Sequence, residues 1–69
     1  MKLLLVTAGP RDNPVVSRVE YDGELTVWMA RHAAVVAFGH TSGVTVLDSQ
    51  THEGYRLTAK SVRKVKAKI

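Results

Sequence analysis

Apolar and polar residues alternate along most of the chain, a period of two that predicts strands. Lys2 to Thr7, rich in Leu and Val, reads as a first strand ended by Gly9-Pro10. Gly9 to Pro14 is loop chemistry, because each proline lacks a donor and restricts the residue before it. Val15 to Tyr21 and Glu24 to Ala30 then flank Asp22-Gly23, the dipeptide of a tight hairpin turn.

The register of that expected hairpin follows from the alternation. A loop of Asp22-Gly23 alone would put Leu25 and Val27 on the face of Glu20 and Arg18. A loop of Tyr21-Asp22-Gly23, with Gly23 left-handed, gathers Val15, Ser17, Val19, Leu25, Val27 and Met29 on one apolar face. The longer loop is therefore the expectation. On the opposite face Val16 then meets Trp28, with Ala30 beside them. That apolar corner calls for a cover, either the C-terminal segment or a second subunit, so Val16 and Trp28 are candidate homodimer contacts.

Ala33 to Phe38 is a continuous apolar run that suits either a buried strand or part of a helix. Its valines, and the turn-like Gly39 to Gly43 that follows, favour a strand. Val44 to Leu47 is the next strand, Asp48 to Gly54 a polar connection, and Tyr55 to Ala59 alternates again with Tyr55, Leu57 and Ala59 inward. The end reads two ways. As a strand, Val65, Ala67 and Ile69 face in and Lys64, Lys66 and Lys68 out. As a helix capped by Ser61, Val62, Val65 and Ile69 form a stripe, and the lysines suit the C-terminal end of its dipole. The helix is the preferred reading. The expected fold is thus mainly β: one domain over residues 1–69, a twisted antiparallel sheet or partly open barrel of five to six strands, with a short C-terminal helix.

Composition narrows the function. A chain of 69 residues supplies one small core, and without cysteine there is no disulfide framework and no thiolate zinc site. The N-terminal apolar run is too short for a signal peptide, and no stretch has the length of a membrane span. A soluble, cytoplasmic protein is expected. Charge is segregated. Residues 1–55 hold four Lys/Arg against six acids, a balance of −2, whereas residues 56–69 hold Arg56, Lys60, Arg63, Lys64, Lys66 and Lys68 with no acid. Those six cations are the candidate contact surface for nucleic acid or for an acidic protein surface.

Nothing in the sequence assembles a reaction centre. His32, His40 and His52 have neither helical spacing nor a zinc signature, so neither a metal nor any other cofactor is expected. His40 and Ser42 lie on one tight turn, which is not triad geometry. The acids fall mostly in turns or on an outer face, where no sheltered cleft separates their pKa values. Gly39 and Gly43 lack the Lys-Ser/Thr of a phosphate loop. With no catalytic residues, a binding module is expected. Tyr21, Trp28, Phe38 and Tyr55 are not interleaved with basic residues, so nucleic acid would be held by phosphate contacts rather than by stacking.

Asp22-Gly23, Val44-Thr45-Val46, Gly54-Tyr55-Arg56-Leu57 and Ser61-Val62-x-x-Val65 together resemble the FlbD-like flagellar-operon small proteins. In that family a DG/NG hairpin leads through an apolar strand to a G-x-x-Y strand and a closing helix. The family's helix is typically acidic, whereas this segment carries Arg63, Lys64, Lys66 and Lys68, and the strand Lys2 to Thr7 is extra. The same pattern is similar to the first half of a LytTR-type DNA-binding domain, without the half that carries much of that family's DNA contact. Both resemblances imply a small β fold. The leading expectation is regulatory nucleic-acid binding through the C-terminal segment. The alternatives are a protein-interaction module, such as a phage-type inhibitor or regulatory adaptor, and a structural subunit of an assembly.

Overall fold

The computed structural model describes residues 2–9 and 12–66. Five strands form one open antiparallel sheet: β1 (Lys2–Ala8), β2 (Val15–Tyr21), β3 (Val44–Asp48), β4 (Glu53–Leu57) and β5 (Val62–Lys66). Their order across the sheet is β2-β1-β3-β4-β5, so β2 and β5 are the edges. One helix, α1 (Val27–Phe38), connects β2 to β3 and packs against β1, β2, β3 and β4. Both β2 and β3 pair antiparallel with β1. They therefore run parallel to each other, which is why their connection needs a helical crossover rather than a hairpin.

The mainly β class and the strands near the N-terminus agree with the alternation, but the expected Asp22-Gly23 hairpin does not form. β2 pairs with β1, and Glu24 to Ala30 enters a helix. Gly23 still turns the chain, at φ 94°. Thr26 then ends the extended segment, and its hydroxyl accepts a hydrogen bond from the Met29 amide at 3.2 Å. That side chain satisfies one of the donors a helix start leaves free. Ala33 to Phe38, expected as a strand, completes the same helix. Ala30, Ala33, Ala34 and Ala37 recur at helical spacing, and their small side chains let the axis lie close to the sheet. Gly39, left-handed at φ 78°, closes it with its amide on the Val35 carbonyl.

The C-terminal helix is also replaced. Val62–Lys66 is a strand paired with β4, while residues 67–69, including Lys68, lie outside the described residues. β-Branched Val62 and Val65 suit the pleat, and β4 offers an open edge whose polar groups need partners. Of the residues expected inward near the end, Tyr55 and Leu57 face the helix side, while Ala59 lies exposed in the β4–β5 turn.

The core is a thin layer between α1 and one sheet face: Leu4, Val6, Tyr21, Val44, Val46 and Leu57 against Ala30, Ala33 and Ala34. No element among the described residues covers the other sheet face. Of the sequence features behind the FlbD-like resemblance, Val44-Thr45-Val46 and Gly54-Tyr55-Arg56-Leu57 lie in strands β3 and β4. Asp22-Gly23 leads into α1, and Ser61-Val62-x-x-Val65 forms the turn and edge strand at β5.

Candidate functional site

The pairing register sorts every strand residue to one face or the other. On β4 and β5, Tyr55, Leu57, Val62, Lys64 and Lys66 share the helix side, whereas Arg56, Arg63 and Val65 point to the open side. The period of two therefore divides the basic segment instead of presenting it as one cationic surface. Lys64 and Lys66 stand on the side of Glu53, and Lys66 Nζ lies 3.5 Å from the Glu53 carboxylate. Arg56 and Arg63 are direct cross-strand partners and both are exposed.

The turn joining the two strands is held by its own hydroxyls. Thr58 Oγ1 accepts from the Ser61 amide at 2.9 Å, and the Thr58 amide donates to the Ser61 carbonyl at 2.9 Å. These bonds fix Thr58 to Ser61 as a short connection with exposed Lys60 within it.

The open face can be read in rows across the sheet. One row runs Val16, Thr7, Thr45, Arg56, Arg63, and the next runs Arg18, Leu5, Leu47, Gly54, Val65. Three guanidiniums, two threonine hydroxyls and a band of aliphatic side chains thus share one uncovered surface. Glu20, on the side of Arg18, is its acid. Arg18 stands on this face with Val16 and Glu20, opposite Val15 and Val19 as the alternation implies, and the pairing of β2 with β1 aligns it with Leu5. The expected hairpin set Trp28 beside Arg18, and Trp28 belongs instead to α1.

Gly54 is required by a close approach. A Cβ built there would fall 1.9 Å from the Val46 carbonyl oxygen, inside β3.

Val16 and Trp28 do not meet. Val16 is on the open face and 55% exposed, while Trp28 stands on the outer side of α1 and is 77% exposed. The two residues lie on opposite sides of the molecule. The shared contact expected from a strand pairing is lost because Trp28 belongs to a helix. The cation beside Trp28 is Arg31, its guanidinium carbon 5.6 Å from the ring centroid.

On the helix side of the sheet, a concavity of about 320 Å³ is lined by Lys2, Glu24, Asp48, Glu53, Tyr55 and Lys64, among others. Asp48 is its one buried ionisable carboxylate. The hydroxyl of Tyr21 donates to Asp48 Oδ2, and the Gln50 amide donates to Oδ1 at 2.8 Å. The Tyr21 hydrogen bond leads in holding the Asp48 carboxyl below its ordinary value, against the opposing effect of burial. Burial first, then the Asp48 bond, pushes Tyr21 up to about 12. Both oxygens of Asp48 are engaged by the protein, so the pair ties structure together. Among the described residues no three His, Asp or Glu side chains converge as a metal site. Among the described residues no helix is long and apolar enough to cross a membrane.

Comparison with protein-family models, curated proteins and solved structures finds no match to this chain.

Proposed function

We propose that this protein is a non-catalytic, regulatory nucleic-acid-binding module that takes the phosphate backbone on the open face of the β4–β5 hairpin. Arg56 and Arg63 form the centre, exposed Lys60 lies in the connecting turn, and Arg18 extends the surface across the sheet. The pairing of Arg56 with Arg63 carries the reading. Like charges directly opposite on a sheet are destabilising, so this pair works against the fold unless an anion lies between its members. Guanidinium groups suit phosphate because their planar donors bind two oxygens at once.

The rest of the surface fits a ligand read through its backbone. Tyr21, Trp28, Phe38 and Tyr55 all lie on the helix side or on α1, so the open face offers no stacking platform among the described residues. Phosphate contacts position a chain without reading its sequence, and weak sequence preference is expected. Lys64 and Lys66 stand outside this surface.

A salt titration tests the proposal. Four phosphate contacts on duplex DNA, from Arg18, Arg56, Lys60 and Arg63, give a log-affinity against log-salt slope of about −3.6. The double variant Arg56→Ala/Arg63→Ala should reduce it to about −1.8. No retention of duplex or single strands at low salt, or an unchanged slope in the double variant, would overturn it. Retention of an acidic protein with no binding to nucleic acid would favour the protein-interaction alternative.

A further inference from the structure

A second surface, on the helix side rather than on the open face of the arginine pair, follows from an inverted distribution of side-chain size on α1. Toward the sheet the helix presents Ala30, Ala33 and Ala34, all fully buried. Toward solvent it presents Trp28, Arg31, His32, Val35 and Val36, all exposed. The largest apolar side chain, Trp28, is thus the most exposed large hydrophobic among the described residues, and Val35 and Val36 are 52% and 60% exposed. Trp28, Arg31, His32 and Val35 follow the spacing that places side chains in one stripe. A helix that is apolar on both sides is normally buried on both. Trp and Arg are also the residue types that most often dominate the energy of protein interfaces. Here they are held together before any partner arrives, with Arg31 over the Trp28 ring.

We infer that the outer stripe of α1 docks an amphipathic segment of another protein, one that combines apolar side chains with carboxylates. Charge selects the occupant. Residues 27–38 contain no acid, and beside the stripe a groove of about 230 Å³ is lined by Arg31, Thr41, Leu57, Lys60, Ser61 and Val62. Apolar groups of the partner seat on Trp28 and Val35, and its acids meet Arg31 at the rim, the division usual in protein interfaces. A second copy of this chain is a poor occupant. Two-fold antiparallel pairing through the stripe would bring Arg31 of one copy beside Arg31 of the other, with no acid on either helix to relieve them. Nucleic acid is also disfavoured, since its interfaces are strongly cationic and the outer side of α1 holds one permanent charge, Arg31, beside exposed Trp28, Val35 and Val36.

The inference is tested by selecting helical peptides of about four turns, randomised over Leu, Phe, Glu, Lys and Ser, against the full chain. Trp28, the sole tryptophan, reports directly on its own surface. Enriched peptides should carry Leu or Phe with Glu, and should move Trp28 emission to the blue. Binding should weaken about tenfold or more in Trp28→Ala and several-fold in Arg31→Glu, at positions exposed enough to leave the fold intact. The salt-dependent DNA binding of these variants should be unchanged, which separates this surface from the Arg56–Arg63 site. No enrichment, enrichment of lysine-bearing peptides, or equal binding by Trp28→Ala would overturn the inference. So would a blue shift that grows with protein concentration alone and accompanies dimerisation in sedimentation, or competition by an oligonucleotide for the same stripe.

Discussion

The hydroxyl of Tyr21, at the end of edge strand β2, donates to the carboxylate of Asp48, at the end of β3, across the intervening strand β1. Both residues are buried, at 4% and 7% exposure, and they are 27 positions apart in the chain. The contact closes the helical crossover that joins their strands. Asp48 also accepts from the Gln50 amide and so anchors the turn leading into β4. Loss of the phenol would leave a buried carboxylate oxygen without its donor. Tyr21→Phe should therefore cost about 1.5–3 kcal/mol, read from urea unfolding at neutral pH.

The same pair sets the pH dependence of stability. The Asp48 carboxyl is lowered on folding, so its contribution is present above the ordinary carboxylate pKa and is lost as pH falls through the lowered value. Tyr21 is raised to about 12, so its contribution is full below the ordinary tyrosine pKa of about 10 and is lost as pH rises through the raised value. Wild-type stability should decline in the acid range and again between about pH 10 and 12. In Tyr21→Phe the alkaline decline should disappear and the acid decline should shrink. An alkaline limb of equal size in the variant would show that another group causes it.

Thr26 decides where the helix begins. Removing the hydroxyl that accepts from the Met29 amide should cost about 1 kcal/mol in Thr26→Ala, and Thr26→Ser should recover most of it. Thermal melts of the two variants provide the comparison. Equal melting temperatures for Thr26→Ala and wild type would mean that packing of the alanine face alone starts α1.

The two glycines Gly54 and Gly23 should respond differently to alanine. At Gly54 the added carbon meets the Val46 carbonyl inside the sheet, so β3 and β4 must separate, at a cost of about 3 kcal/mol or more. At Gly23 nothing lies within 4 Å, and only the left-handed backbone resists, for about 1 kcal/mol. Denaturant midpoints of the two variants test this order.

The alternation along the chain made the β1, β2, β3 and β4 segments legible, because a half-buried strand shows its period locally. The faces of Val15, Val19, Tyr55 and Leu57 came with it. The helix was less legible, since Val27 to Phe38 is apolar on both sides and carries the β-branched Val27, Val35 and Val36. Its signals were Thr26 as cap and alanines at helical spacing, and Asp22-Gly23 offered a competing turn that satisfies either path. Which strand pairs with which is set by non-local contacts. The pairing of β2 with β1 set Arg18 beside Leu5 on the open face, and the helix moved Trp28 away from Val16 and Arg18. The basic segment was visible as composition. Its division into Arg56 and Arg63 on one side and Lys64 and Lys66 on the other required β5 to be a strand in a known register.

That division links function to a cost in stability at a single position. Arg63 stands opposite Arg56, and the repulsion between them is relieved by a change of sign. Arg63→Glu converts the like pair into an opposite one and should stabilise the protein by about 0.2–1 kcal/mol in denaturant unfolding. The same change should abolish salt-dependent binding of nucleic acid at the hairpin, because a carboxylate then occupies the phosphate site and engages Arg56. Lys64→Glu should leave that binding much less affected, as its side chain is on the helix side. The two readouts must move in opposite directions in Arg63→Glu. A variant that loses both stability and binding would show that Arg63 is held by the fold rather than reserved for a ligand. One that gains stability and still binds would place the phosphate contacts elsewhere on the basic segment.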